Sequence, residues 1–154
     1  MLSLYKPTCK DLWFRQAMLA DAETMAYNHA WGGVISFPEE DWADWYAYWI
    51  ARPEGKRFYR YLREENGNFV GEIAYHFDAS LDGFVADVIV FAPYRGRGFG
   101  AEGLDLLCAA AKENGISVLY DDIAADNPAI ALFLTRGFFE ESRTEKKIIL
   151  KKNL

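Results

Sequence analysis

Between Ala92 and Gly103 the chain reads APYRGRGFGAEG, and these residue types suit one chemistry, the holding of a phosphate. Gly98, Gly100 and Gly103 take the spacing G-x-G-x-x-G, and Arg95, Gly98 and Gly100 take the spacing R-x-x-G-x-G. Both spacings set glycines where a strand gives way to a helix. The first helical turn presents N–H groups without intrahelical acceptors, at the positive end of the dipole. Glycine lets that backbone approach an anion with no Cβ between them. Arg95 and Arg97 add charge that pairs with phosphate oxygens. A pyrophosphate is the natural guest. The same residues also describe a glycine-rich turn with helix-packing glycines and solvated arginines, because a single G-x-G-x-x-G is a weak signal.

Acid–base chemistry has three candidates upstream. Asp87 stands among Val85, Val88 and Val90, four residues before Phe91. Burial there raises a carboxyl's pKa toward a range useful to a general base. The position equally suits an ion pair with a nearby Arg or Lys, or a carboxylate turned to solvent. Glu72 is the second candidate and His76 the third. His29, in Tyr27-Asn28-His29, is a lone histidine and reads as structural. Cys9 and Cys108 are far apart with no C-x-x-C, so neither a disulfide nor a metal site is expected.

The chain that must position these groups has 154 residues, 51% apolar and 16% aromatic, enough for one domain with a sizeable core. Seventeen Lys and Arg against 23 Asp and Glu give a net charge of −6, which disfavours nucleic acid as a partner. The start, MLSLYKPTCKD, has no apolar signal region, and no run is long enough to span a membrane. A reduced, cytoplasmic protein is expected.

Leu2–Lys6 reads as an edge strand. Thr8 with Asp11 makes a capping box, with Leu12, Gln16 and Leu19 following at helical spacing. Ser36-Phe37-Pro38-Glu39 reads as a second box, before a helix carrying Trp42, Trp45, Tyr46 and Trp49 on one face and ending near Arg52-Pro53. The period then changes. Arg57–Arg63, Phe69–Phe77 and Phe84–Phe91 read as antiparallel strands joined at Asn66-Gly67 and Asp82-Gly83. After the glycines, Leu104, Leu107, Cys108 and Ala111 form a helical stripe that stops at Asn114-Gly115. Ile116–Tyr120 is a short strand parallel to Phe84–Phe91. A helix over Asn127–Arg136 ends at Gly137, and Phe138-Phe139 and Thr144–Leu150 close the sheet. The fold class is α/β of the mixed α+β kind, with helices on both faces.

A dinucleotide reading of the loop has support from Asp121 and Asp122, about 20 residues on, where a ribose-binding acid belongs. Pro93-Tyr94-Arg95 opposes it, since the dinucleotide turn is tight. So do the preceding antiparallel strands and the short remainder of the chain. A second reading accounts for those features. Val90 to Gly100 resembles the acyl-CoA segment of the GNAT N-acetyltransferases, in which an apolar strand runs into a Pro and an aromatic residue before R/Q-x-x-G-x-G/A opens a helix. Asp126 to Phe138, DNPAIALFLTRGF, resembles the family's N-x-x-A-x-x-L-Y-x-x-x-G-F segment. The resemblance covers Phe84 to Phe138. It is topological over Arg57–Phe77 and absent from the first fifty residues.

The resemblance implies a mostly antiparallel sheet with a splayed parallel pair, in a single domain over residues 1–154. Residues 1–53 would form the acceptor side, 57–91 the antiparallel strands, 92–138 the acetyl-CoA core and 139–154 the closing strands. It implies acetyl transfer from acetyl-CoA, as acyl-donor substrate and without a metal, to a primary amine of a small molecule or peptide by direct attack. An N–H of Val90 or Phe91 would hold the acetyl carbonyl. Arg95, Gly96, Arg97, Gly98, Phe99, Gly100 and Ala101 would hold the pyrophosphate. Asn127 would contact the pantetheine, with Asp126 the alternative in an ungapped alignment, or Asn127 would only cap its helix. Phe133 stands where the family has a Tyr that protonates the leaving thiolate; its ring can still pack on the pantetheine sulfur, and the acid is either dispensable or replaced by Tyr94, Tyr120 or water. Asn28, Trp31 and Gly33 form the expected acceptor loop. Dimers are common in the family, with the closing strands as the pairing surface. The alternatives are a non-catalytic acyl-CoA-binding sensor and a nucleotide-dependent oxidoreductase.

Overall fold

A computed structural model describes residues 1–154. The chain starts with β1 (Ser3–Tyr5), and one 3-10 turn leads into α1 (Trp13–Ala20). The Asp11 carboxylate accepts the Thr8 N–H at 2.8 Å, the return bond of the expected capping box, and the Thr8 hydroxyl donates to the same carboxylate at 2.9 Å. The Ser36 box does not form. Pro38 would stand at its second helical position and has no N–H to offer a cap, and the 3-10 turn Glu39–Asp41 begins there instead. The aromatic helix is shorter than its periodicity predicts. It consists of α2 (Trp42–Tyr46) and one π turn over Ala47–Ala51. Trp45 and Trp49 still share a face, with their rings 4.7 and 6.3 Å from Tyr59.

β2 (Arg57–Arg63), β3 (Phe69–Asp78) and β4 (Gly83–Val90) form the antiparallel centre within a residue of expectation. α3 (Phe99–Glu113) crosses to β5, and α4 (Ile130–Thr135) leads to β6 (Phe139–Arg143) and β7 (Lys147–Asn153). β5 departs from expectation, running over Val118–Ala124 rather than 116–120. The expected strand stops short of the acids Asp121 and Asp122. Leu119 and Ile123, buried on either side of them, hold the segment extended. The sheet order is β1-β2-β3-β4-β5-β7-β6, and only β4 and β5 are parallel.

One face of the sheet packs on α3, where Leu104, Leu107 and Ala111 are fully buried with Leu62 and Ile73. The other carries Phe14, Met18 and Ile50 over Tyr59, Tyr61 and Ala74. Gly103 sets how closely α3 approaches. A Cβ there would lie 2.7 Å from Cδ1 of fully buried Leu62 and 3.5 Å from Ile73. Gly103→Val is expected to lower unfolding free energy by roughly 1–3 kcal/mol through overpacking, read from urea midpoints at unchanged slope. No helix is long and apolar enough to cross a membrane.

Candidate functional site

β4 and β5 pair at only two positions, Phe84 with Leu119 and Val85 with Tyr120. Beyond them both strands continue, to Val90 and Ala124, but apart. Three cavities lie along this splay and share walls. The first, about 500 Å³, lies between the end of β4, the glycine loop and Leu132. The second, about 100 Å³, lies in the splay itself between Asp87 and Asp121. Tyr27, Val88 and Asn127 line both. The third, about 810 Å³, opens beside Trp31 and the β6–β7 turn at Thr144–Lys147, and shares Trp31 and Ala124 with the second. A ligand held at the glycine loop can therefore meet one entering past Trp31.

The glycine loop leaves a row of backbone N–H groups open at the start of α3. Gly96 and Gly98 take left-handed backbone, with φ of 81° and 83°, and Gly98 caps α3. The first α3 hydrogen bond runs from Glu102 to Gly98. The N–H groups from Gly96 to Ala101 find no acceptor on the protein's own backbone. They face an incoming ligand at the positive end of a fifteen-residue helix. The arginine side chains are otherwise engaged. Arg95 donates to the carbonyls of Val90, Glu23 and Thr24, at 3.1, 3.3 and 2.8 Å. Arg97 pairs with Glu64 at 2.8 Å. Arg95 thus fastens the loop to the N-terminal segment instead of pointing at a phosphate. The Thr24 hydroxyl adds to this latch by accepting the Ala92 N–H at 3.0 Å.

The backbone register selects between Val90 and Phe91. The Phe91 N–H donates to the Val70 carbonyl on the β3 side at 2.8 Å. This takes Phe91 out of the expected carbonyl-holding role, and its ring packs against Phe14 away from the splay. The Val90 carbonyl points away from β3, to Arg95. In an antiparallel strand the N–H and C=O of one residue share an edge. The Val90 N–H therefore faces the splay, and Val88, two residues back, shares that edge.

Asp87 lies on the splay wall, in the second cavity. The crowding walls desolvate its carboxyl and push its pKa up to about 6. Its side chain is 56% exposed at the cleft, and water there works against that shift. His76 Nδ1 lies 3.8 Å from its Oδ2, beyond hydrogen-bond reach, and is buried without a partner. Burial lowers the His76 pKa, with Asp78 opposing. Glu72 is buried on β3 and lines none of the three cavities. Desolvation raises its pKa, with the Arg15 guanidinium opposing. That guanidinium lies over the rings of Phe37 and Trp45, at 4.5 and 4.4 Å. Asp121, on the opposite arm from Asp87, is buried too. Burial first, and then the charges of Asp87 and Asp122, hold its carboxyl well above the usual range.

Asn127 stands at the junction of the first two cavities. Its Oδ1 accepts the Ala129 N–H at 2.9 Å, an Asx turn ahead of α4, which is shorter than expected at its start. Asp126 is on the outer groove and pairs with His29 at 3.1 Å. Phe133 lines the second cavity, its ring 5.0 Å from Phe138. Tyr94 lines the first cavity, and Tyr120 lies in a different one, beside Gly83 and Gly115. In the acceptor loop, Trp31 is 67% exposed and lines the second and third cavities. Asn28 and Gly33 line neither, and the Asn28 amide closes the loop onto the Gly33 carbonyl at 2.8 Å. Sequence reasoning missed Tyr27, Thr24 and the Thr144–Lys147 turn. Tyr27 sits in a 3-10 segment, Ala26–Trp31, with no helical or strand period to mark its face.

Comparison with known proteins agrees with this geometry. The family model described as Acetyltransferase (GNAT) family matches residues 17–138. No curated protein matches the sequence. Among solved structures, an Acinetobacter baylyi ADP1 protein provisionally described as an acetyltransferase superposes with a TM-score of 0.80 at 19% identity, covering 100% of this chain and 93% of its own. YncA of Salmonella typhimurium, solved with its cofactor acetyl-CoA, gives 0.75 at 20% identity, covering 100% and 94%. Spermidine N-acetyltransferase of Vibrio cholerae, in complex with CoA and spermine, gives 0.77 at 16% identity, covering 99% and 95%.

Proposed function

Because the chain belongs to the GNAT acetyltransferase family, we propose that it transfers the acetyl group of acetyl-CoA to a primary amine by direct attack within a ternary complex. The observation that carries this reading is the splay, which joins an anion-binding loop on one side to a Trp31-walled groove on the other, with Asp87 between them. The N–H groups of Gly96–Ala101 take the pyrophosphate. Asn127 and the edge of β4 take the pantetheine arm. The Val90 N–H donates to the acetyl carbonyl as its oxygen gains charge. Asp87 accepts a proton from the amine, directly or through water. No lysine or arginine lines the splay, and of its aspartates Asp122 is paired with Lys147 and Asp121 is held protonated by burial, so the Asp87 carboxylate is the charge that favours an ammonium group as visitor. Trp31 offers the acceptor an exposed aromatic face. Holding both partners in one cleft supplies much of the acceleration by proximity.

The reading is tested by calorimetric titration with acetyl-CoA, with NAD in parallel, followed by thiol release with spermidine, phenethylamine, L-lysine and a short peptide as acceptors. Micromolar binding of acetyl-CoA alone and acceptor-dependent thiol release are expected. Binding without release for any acceptor favours a sensor, the reading that Phe133 supports by lacking a hydroxyl. Binding of NAD alone favours the oxidoreductase.

A pH dependence follows from Asp87. A base must be ionised, and this carboxyl is protonated below about 6. Thus kcat/KM is expected to fall as pH drops through that region, and this acidic limb should vanish in Asp87→Asn. A profile flat from about pH 7 to about pH 5 in the native chain removes Asp87 as the titrating group.

A further inference from the structure

Acetyl transfer, the reading on which this inference rests, leaves a thiolate that takes up a proton, and Phe133 has none to give. If a protein group supplies that proton, it comes from another wall. The sulfur of a bound donor belongs where the first cavity, which takes the pantetheine arm, meets the second, which contains Asp87. Four groups compete for that junction. Tyr94 lines only the first cavity. Tyr120 lies in the separate cavity beside Gly83 and Gly115. Asp121 lines the second cavity but not the first. Tyr27 lines both, together with Val88 and Ile89 of β4, and shares the second with Phe133.

We propose that Tyr27, carried on the Ala26–Trp31 turn rather than on α4, is the group that protonates the leaving CoA thiolate. Its ring is anchored against the cluster of Leu12, Leu19, Met25 and Phe37. No hydrogen bond to a protein group engages its hydroxyl, which is left free for a ligand. Burial raises its pKa, and the nearby Glu72 and Asp87 carboxylates add to this against Arg95 and Arg15, so the phenol stays protonated through neutral pH. As the carbon–sulfur bond breaks, the electron pair stays on sulfur and the phenolic proton moves to it, giving the free thiol. The phenolate recovers a proton from the Asp87 carboxyl, which had taken it from the amine. The nitrogen loses two protons in all, one passing to sulfur by this route and one to solvent.

The experiment compares the native chain with Tyr27→Phe, Asp121→Asn and Tyr27→Phe combined with Phe133→Tyr, using the fastest acceptor of the panel above. Each is assayed with acetyl-CoA and with its selenoester analogue, and acetyl-CoA binding is measured by calorimetry. A selenolate leaves without needing a proton. Tyr27→Phe is expected to lower kcat roughly 10- to 100-fold with acetyl-CoA, the low end of acid catalysis because a thiolate is a fair leaving group. Its acetyl-CoA affinity should stay unchanged, and its deficit should shrink to within about threefold on the selenoester. Returning a hydroxyl at position 133 should recover most of the loss. The proposal is overturned by an unchanged kcat in Tyr27→Phe, by an equal deficit on both esters, or by a loss that appears in Asp121→Asn instead. Absence of acetyl transfer by the native chain would overturn the parent reading along with this one.

Discussion

Asp87→Asn is expected to lower kcat by about 10²–10⁴-fold while leaving acetyl-CoA affinity within about twofold. The asymmetry follows from placement. Asp87 lines the splay but not the cavity at the glycine loop, so the donor can bind without it. Asparagine keeps the size and polarity and removes only the capacity to take a proton. The acceptor amine enters as an ammonium ion and cannot attack until it loses one. Thiol release and calorimetry on the same sample check both halves. An unchanged kcat takes Asp87 out of the mechanism and moves attention to Glu72, the buried carboxyl on β3 that feels the Asp87 charge.

The same substitution has an opposite expected effect on stability. The folded-state pKa of Asp87 is raised above its unfolded value, so between about pH 4 and about pH 6 the unfolded chain releases this proton while the folded chain keeps it. Stability contributed by this group is therefore fully present below the unfolded pKa and lost as pH rises through the folded one. At pH 7 the ionised carboxylate weighs against the fold, tempered by water reaching its exposed face. Asparagine removes that weight. Asp87→Asn should melt slightly higher than the native chain at pH 7, with the gap closing toward pH 4. A lower melting temperature together with lost acetyl-CoA binding would mark Asp87 as structural.

Sequence reading succeeded where a residue's role is set by its neighbours in the chain. The turns at Asn66-Gly67 and Asp82-Gly83 fix β2, β3 and β4, and the strand–glycine–helix order fixes where the loop opens α3. It fell short where a role depends on register or on distant segments. Nothing local in Val90-Phe91 says which N–H turns to β3, and the answer comes from the Val70 partner. The strand expected over Ile116–Tyr120 stops before Asp121-Asp122, but Leu119 and Ile123 are buried on either side of the acids, and the extra strand residues form one arm of the splay. Arg95 reads as a phosphate ligand because its three carbonyl partners include Glu23 and Thr24, some seventy residues away in the chain. Tyr27 carries no signal except proximity to His29, and a 3-10 turn places it on the walls of the first two cavities.

Gly98→Val is expected to weaken acetyl-CoA binding by about 100-fold or more and leave the chain folded. The residue has φ of +83°, and no protein atom lies within 4 Å of where a Cβ would stand. Two consequences separate. The left-handed backbone costs a side-chain-bearing residue roughly 1–2 kcal/mol, more for a β-branched one, so the melting temperature should drop modestly. The added Cβ has open space around it, and the side chain built on it stands where the pyrophosphate must approach the N–H groups of Gly96–Ala101. Losing two charge-assisted hydrogen bonds, each worth about 1.5–3 kcal/mol, accounts for the affinity change at 1.4 kcal/mol per decade. Gly115→Val is the matched control. Gly115 has φ of +85° and equally open surroundings, but it lies past the C-terminal end of α3, away from the loop. The control should share the loss of stability and keep the affinity. Equal loss of binding in both variants would trace the effect to backbone strain alone, and normal binding by Gly98→Val would move the anion site off this loop.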